Sequence, residues 1–224
     1  MNKPIHDLSA MELLALYRSR KLSPVEACKA AFARMDRLEE RLNAMYVVDR
    51  DGAMAQARAS ETRWFRGEPA GLVDGVPITI KDNILTRGMP SPVGTAAAAA
   101  GLASEVDSPP AQRVREHHAL ILGKTTMPDF GMLASGVSSL HGITRNPWNT
   151  ARNTAGSSSG AGAAIAAGYG PLALGTDIGG SVRLPAAYCG IFALKPSLGR
   201  VPIYPPYWGR VTGPMTRTVE DAAL

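Results

Sequence analysis

Cysteine is scarce in this sequence. Only Cys28 and Cys189 occur, far apart and outside any C-x-x-C pattern. This spacing excludes a disulfide framework and a cysteine-based zinc site, and it favours a reducing compartment.

Long apolar runs and blocks of like charge are also missing. No run reaches the roughly 18 apolar residues of a membrane-spanning helix, and the N-terminal residues mix charges into the apolar stretch, unlike a signal peptide. The net charge is +5, but Lys and Arg are scattered, without the run of like charges that marks a nucleic-acid-binding arm. The sequence therefore predicts a soluble cytoplasmic protein whose partners include neither a membrane nor a nucleic acid.

What the sequence does have is enough apolar content for a core, with 45% hydrophobic residues over 224 positions. Two capping boxes mark helix starts near the N-terminus, Ser9 with Glu12 and Ser23 with Glu26. Apolar residues at helical spacing follow each box. We expect a helical hairpin over about 7–45.

Helix and strand patterns alternate along the rest of the chain. The predicted order is a helix at 52–66, a strand ending near Lys81, a helix after Ser108, the strand "ALILGKT", the helix "SGAGAAIAAG", and the strands "PLALGTDIGG" and "IFALKPS". Such alternation is typical of a parallel sheet. The predicted fold is α/β, with a mixed, mainly parallel β-sheet core covered by helices, in one domain (1–224) whose α/β core spans about 70–224.

The stretch "NTAGSSSGAGAA" at 153–164 has three interpretations. A flexible linker is one, although the helix formers behind it argue against that. A phosphate-binding loop is the second, but neither the P-loop pattern nor the third glycine of a dinucleotide fingerprint is present. The third is a nucleophile elbow centred on Ser158, which requires a downstream histidine, whereas all four histidines lie upstream. If a serine is the nucleophile here, a lysine with a lowered pKa is the alternative base.

A second informative stretch is "GTDIGGSVRLPAAYCG" at 175–190. A strand runs into Asp177, and a glycine turn leads to Ser181. The turn is either an ordinary one with a capping serine or a set of N–H groups that can hold an oxyanion. Asp177 and Arg183 can pair and orient it. Lys81, at the end of its own strand, lies where clefts form in α/β sheets.

Together "IKDN", "AGSSSGAGAA" and "GTDIGGSVRLPAAYCGIFALKPS" strongly resemble the amidase signature family of serine hydrolases, and the resemblance runs from the N-terminal helices to the last residue. It implies a Ser-cisSer-Lys triad. In this sequence Ser181 would be the nucleophile, Ser157 the proton relay and Lys81 the base.

The resemblance also implies the groups around the triad. The oxyanion would be held by the backbone N–H groups of Ile178, Gly179, Gly180 and Ser181. Asp177 and Arg183 would support the site. Gly131 and Ser157 are predicted to contact the substrate. No cofactor and no metal ion takes part in this chemistry.

The sequence departs from the family pattern in two ways. Ala155 and Ser159 stand where glycine is common, and because both are small we expect little loss. Family members are usually about twice as long, and the helix start at Thr218 and Asp221 is followed by only three more residues. We therefore expect an incomplete fold that lacks part of the acyl pocket.

The resemblance predicts an enzyme, an amidase acting on non-peptide C–N bonds of linear amides. It would proceed through an acyl-enzyme and give a carboxylic acid and ammonia or an amine. One alternative is the A subunit of a glutamyl-tRNA amidotransferase, and another is a non-catalytic binding protein on the same scaffold. The expected partner is a small-molecule amide substrate. This interpretation is also compatible with a homodimer.

Overall fold

The computed structural model describes residues 3–98 and 101–224, and these residues form seven α-helices and ten β-strands. The helices are α1 (Ala10–Arg18), α2 (Pro24–Leu42), α3 (Arg50–Arg66), α4 (Pro109–Glu116), α5 (Ser159–Ala167), α6 (Arg183–Cys189) and α7 (Val219–Ala223). The strands are β1 (Met45–Val48), β2 (Pro77–Lys81), β3 (Leu120–Thr125), β4 (Val137–Ser138), β5 (Gly142–Ile143), β6 (Arg145–Asn146), β7 (Asn149–Asn153), β8 (Leu172–Asp177), β9 (Phe192–Ala193) and β10 (Val211–Thr216).

Six strands form one central sheet in the order β1-β3-β2-β8-β10-β9. The central strands β3, β2 and β8 are mutually parallel, whereas β1, β10 and β9 pair antiparallel at the flanks. The predicted α/β class, with a mixed sheet built around parallel strands, is confirmed. Because parallel strands end at the same edge, the carboxyl ends of β2 and β8 lie side by side.

Hydrophobic clusters cover both faces of this sheet. Ile78 and Ile80 pack into a cluster with residues of α1 and α4. Leu120 and Leu122 pack into a second cluster with α2, α3 and α5. Since side chains alternate along a strand, Lys81 lies on the opposite face of β2 from Ile80, towards α5.

Small residues bring the start of α5 close to the sheet. A Cβ atom added at Gly160 would lie 2.2 Å from the carbonyl oxygen of Ala44 and 2.5 Å from the backbone nitrogen of Thr126. One at Gly162 would lie 2.9 Å from Cβ of Pro185. No larger residue fits at either position without displacing its neighbours, and this close approach places the serine-rich loop beside the end of β2.

Most predicted elements are present. Both capping boxes form, with the Ser9 and Ser23 side chains accepting from the backbone N–H groups of Glu12 and Glu26. The strand that ends at Lys81 and the helix that Thr218 caps are also confirmed.

Other predictions need correction. The strands β1 and β10 and the two hairpins β4–β5 and β6–β7 were not predicted. The strand β1 and the hairpins are short, and β10 contains Gly213 and Pro214, which strand patterns disfavour. The stretch "IFALKPS" forms a strand only at Phe192–Ala193, because Pro196 has no N–H group with which to extend the ladder beyond Leu194. The helical hairpin predicted over about 7–45 also differs from the structure. Both of its helices, α1 and α2, are present, but α2 makes its most extensive helix contact with α3 and not with α1.

The two ends of the chain are joined through Asp221. Its buried carboxylate accepts hydrogen bonds from the backbone N–H groups of Ala10 and Met11, at 3.0 and 3.1 Å. These N–H groups belong to the first turn of α1, which has no intrahelical acceptors for them. A carboxylate there is also favoured by the helix dipole.

Replacing this carboxylate therefore tests the link between α7 and α1. We expect Asp221→Ala to lower the free energy of unfolding by about 1–3 kcal/mol, the cost of leaving buried donors unpaired. Urea denaturation measures the change. The matched control is Glu220→Ala, an exposed acid beside it, with an expected change below about 0.5 kcal/mol. Equal effects of the two substitutions would contradict this role of Asp221.

Candidate active site

Lys81 is the central residue of the predicted site. It is fully buried at the end of β2, and its Nζ lies 2.8 Å from Oγ of Ser157 and 2.9 Å from Oγ1 of Thr176. Thr176 Oγ1 in turn accepts from Nδ2 of Asn83 at 3.1 Å. The structure therefore brings two of the three predicted triad residues into hydrogen-bonding contact.

Burial also changes the acid–base properties of Lys81. Desolvation of the ammonium, aided by the positive charge of Arg210, lowers the pKa of Lys81 to about 7, although Asp82 and Asp177 oppose the shift. A lysine with this pKa is about half neutral at pH 7 and mostly neutral one pH unit higher, and its neutral form can accept a proton.

The serine-rich loop orients its serines in different directions. The Gly156–Ser157 peptide bond is cis, and Ser157 faces both Lys81 and a cavity. Ser158 is buried beneath it, where its hydroxyl donates to the carbonyl of Thr176 at 3.2 Å and accepts from the N–H group of the same residue at 3.3 Å. Because Ser158 does not line the cavity, this geometry does not support the nucleophile-elbow interpretation.

Asp177 organises the glycine turn that follows β8. Its carboxylate accepts from the backbone N–H groups of Gly180 and Val182 at 2.7 and 3.0 Å, and from the guanidinium of Arg183 at 2.9 and 3.0 Å. Burial alone would raise the pKa of Asp177, but the bonds from Arg183 and from the turn hold it at about 2. The predicted pair of Asp177 and Arg183 is therefore present and fixes the turn.

This geometry corrects one part of the predicted oxyanion hole. The N–H group of Gly180 is directed at the Asp177 carboxylate, so it is not free for a ligand. Within residues 3–98 and 101–224, the N–H groups of Ile178, Gly179 and Ser181 donate to no other group. Three of the four predicted donors remain available.

Ser157 and Ser181 line the same cavity of about 340 Å³. The loops that carry them are tied together, because the N–H group of Ser158 donates to the carbonyl of Ser181 at 3.0 Å. Gly131 also lines the cavity at a positive φ of 71°, and a Cβ there would lie 3.3 Å from Oγ of Ser157. The side chain of any other residue at this position would crowd the space beside Ser157.

Sequence reasoning missed three residues at this site. Thr176 and Asn83 hold the Lys81 side chain, and Arg210 lines the cavity. The first two could have been found, since Thr176 lies at the end of β8 and Asn83 two positions after Lys81. Arg210 lies in the irregular segment 194–210, where no sequence pattern marks it.

Metal ligands and membrane spans are both missing from the part of the chain that the structure describes. In it, no group of three or more His, Cys, Asp or Glu side chains is placed to hold a metal ion. None of its helices combines the length and the apolar character needed to cross a membrane.

The sequence is similar to that of one component of an amidotransferase. It is 40% identical to the A subunit of the glutamyl-tRNA(Gln) amidotransferase of Streptomyces avermitilis, over all of this chain and 45% of that protein. It is 42% identical to the protein of the same name from Symbiobacterium thermophilum, over 96% of this chain and 45% of the relative. The chain thus spans less than half the length of these curated relatives.

The structure is similar to those of several amide-cleaving enzymes. A bacterial aryl acylamidase of the amidase signature family superimposes with a TM-score of 0.92 at 37% identity, covering 99% of this chain and 47% of that one. Fatty acid amide hydrolase gives a TM-score of 0.90 at 27% identity, covering 98% of this chain and 40% of the other. The amidase family model matches residues 26–224, which is most of the chain. The chain therefore belongs to the amidase family.

Proposed function

We propose that this chain carries the catalytic residues of a serine amidase that cleaves carboxylic amide C–N bonds through an acyl-enzyme. The observation that carries the proposal is the contact between Lys81 and Ser157 beside a cavity that also holds Ser181. The contact supplies a base, and the cavity gives a substrate access to two serine hydroxyls.

Acylation begins with proton transfer. Neutral Lys81 takes the proton of the Ser157 hydroxyl, and Ser157 takes the proton of Ser181 as the Ser181 Oγ bonds to the amide carbon. The carbonyl oxygen becomes an oxyanion, which the free N–H groups of the glycine turn stabilise. Removing one such donor from an oxyanion hole costs about 10² to 10³ in kcat.

The same residues then pass the proton in the opposite direction, so that the amide C–N bond breaks. The proton returns from Lys81 through Ser157 to the leaving nitrogen, the C–N bond breaks, and ammonia or an amine departs. Water then attacks the acyl-enzyme, with its proton taken along the same route, and the carboxylic acid is released.

A second candidate function is that of an amidotransferase A subunit, and the names of the relatives at 40 and 42% identity favour it. Such a protein would act together with partner chains. Affinity purification of the complete gene product from its own cells tests this, since partner chains would be recovered in stoichiometric amounts. A non-catalytic binding role fits less well, because Lys81, Ser157 and Ser181 are all present.

Substitution of each residue separates the lysine relay from the nucleophile elbow. In the complete gene product, Lys81→Ala should lower the rate of amide hydrolysis by roughly 10² to 10⁴, the usual contribution of a general base. Ser181→Ala should abolish acylation, whereas Ser158→Ala should do far less. The measurement is steady-state hydrolysis of a panel of small amides, and Lys29→Ala, an exposed lysine of α2, is the matched control.

Trapping identifies the nucleophile directly. A reactive acyl inhibitor followed by peptide mass spectrometry should place the label on Ser181. A label on Ser158, or near-normal turnover by Ser181→Ala, would overturn the assignment of all three catalytic residues.

The pH profile tests the state of Lys81. Only the neutral amine can act as a base, so kcat/KM for an uncharged amide should rise with pH, with a midpoint about 7, and then level off. Stopped assays between pH 5 and pH 10 measure it. A profile that continues to rise beyond pH 9 would mean that Lys81 keeps the pKa of an ordinary lysine, about 10.4.

A further inference from the structure

Two charged residues line the cavity, Asp177 and Arg210, and of these two only the Arg210 side chain lacks a hydrogen-bonded partner among the described residues. Arg210 is half-buried, and its guanidinium lies over the ring of Tyr207, 4.2 Å from the ring centre. Among the residues that the structure describes, no side chain or carbonyl accepts a hydrogen bond from this guanidinium, and no carboxylate forms a salt bridge with it. The other charged residue of the lining, Asp177, is paired with Arg183.

An unpaired guanidinium in a half-buried position is costly. It carries five N–H donors and no acceptor, and burial removes part of the water that would otherwise satisfy them. A carboxylate is the small group that matches it, since its two oxygens accept two parallel N–H bonds. Arg210 therefore offers an anion in the cavity hydrogen-bond donors that no described residue accepts from.

The charged groups nearby neither neutralise Arg210 nor replace it as a partner for an anion. The carboxylate of Asp177 is already bonded to Arg183 and to the turn. Lys81 is bonded to two hydroxyls and lies at the end of the proton relay. A negatively charged group that enters the cavity thus meets Arg210 as its unpaired positive partner.

We infer that Arg210 binds a carboxylate of the substrate, so that the site prefers small amides which carry a carboxylate on a short chain. This inference rests on the proposed amidase function and specifies its substrate class. The cavity of about 340 Å³ is near the lower end of the range for small-molecule sites, which fits a compact substrate.

Matched substrates test the preference. In the complete gene product, kcat/KM for succinamate and glutaramate should exceed that for butyramide and valeramide by at least about tenfold, the effect of one charge-assisted hydrogen bond. Arg210→Gln should bring this ratio close to one, chiefly through KM for the charged amides. Arg210→Lys should restore part of the ratio because it keeps the charge. Arg200→Gln, an exposed arginine of the same segment outside the cavity, is the control and should leave the ratio unchanged.

A second readout shows whether the charge of Arg210 acts within the site, which a residue with only a packing role would not do. The positive charge of Arg210 contributes to the low pKa of Lys81, whereas Asp82 and Asp177 act in the opposite direction. Removing the charge should move the acid limb of the pH profile for butyramide to higher pH in Arg210→Gln. Arg210→Lys should leave the limb near its original position.

Binding and hydrolysis are measured separately, so that the inference and the proposed function can fail independently. In a Ser181→Ala background, calorimetry should show that Arg210→Gln weakens succinamate binding by at least about tenfold. If the charged amides bind but no amide is hydrolysed by the unaltered protein, the proposed function fails. If neutral amides are hydrolysed and the charged-to-neutral ratio is the same with and without Arg210, the inference is overturned.

Discussion

Burial of a lysine ammonium at the end of β2 is the constraint on which the site depends. A charged ammonium away from water is costly unless its donors are paired, so Lys81 is shifted towards its neutral form. Its short contacts are with the hydroxyls of Ser157 and Thr176, and a longer one of 3.4 Å is with the Thr176 carbonyl. A hydroxyl can donate or accept, and these contacts therefore suit both protonation states of the lysine. This is the property that a proton relay needs.

A second buried lysine, Lys124, shows how hydrogen-bond partners influence the protonation state of a buried ammonium. Lys124, on the neighbouring strand β3, donates to the carbonyls of Asp82 and Ile84 at 2.9 and 2.7 Å and to Oγ of Ser91 at 3.1 Å. The Ser91 hydroxyl donates its own proton to the Asp82 carbonyl, so all three partners of Lys124 are acceptors and favour the charged form. Burial lowers the pKa of Lys124 to about 8, against the attraction of Asp82 and Asp107. Lys124 thus joins the loop after β2 to β3, whereas Lys81 is left able to exchange its proton.

The sequence indicates the candidate site residues better than the bonds that support them. Lys81, Ser157 and Ser181 are identified by the resemblance of three short motifs to the amidase signature family, and the capping boxes of α1 and α2 follow from local patterns. The bonds from Lys81 to Thr176 and from Asp221 to α1 join residues far apart in the chain, and no local pattern encodes them. The bond from the Gly180 N–H group to Asp177 was equally hidden, because it depends on where the Asp177 carboxylate points.

The titration of Lys81 tests the central claim most directly. In protein labelled with ¹³C and ¹⁵N at lysine, the Cε and Nζ signals of Lys81 can be assigned from the spectrum of Lys81→Arg and followed by NMR as the pH is raised. The midpoint of the Lys81 titration should lie about pH 7, below the midpoint for Lys124, which should lie about pH 8. A lysine that remains protonated above pH 10 would contradict the account, because Lys81 could not then serve as the base.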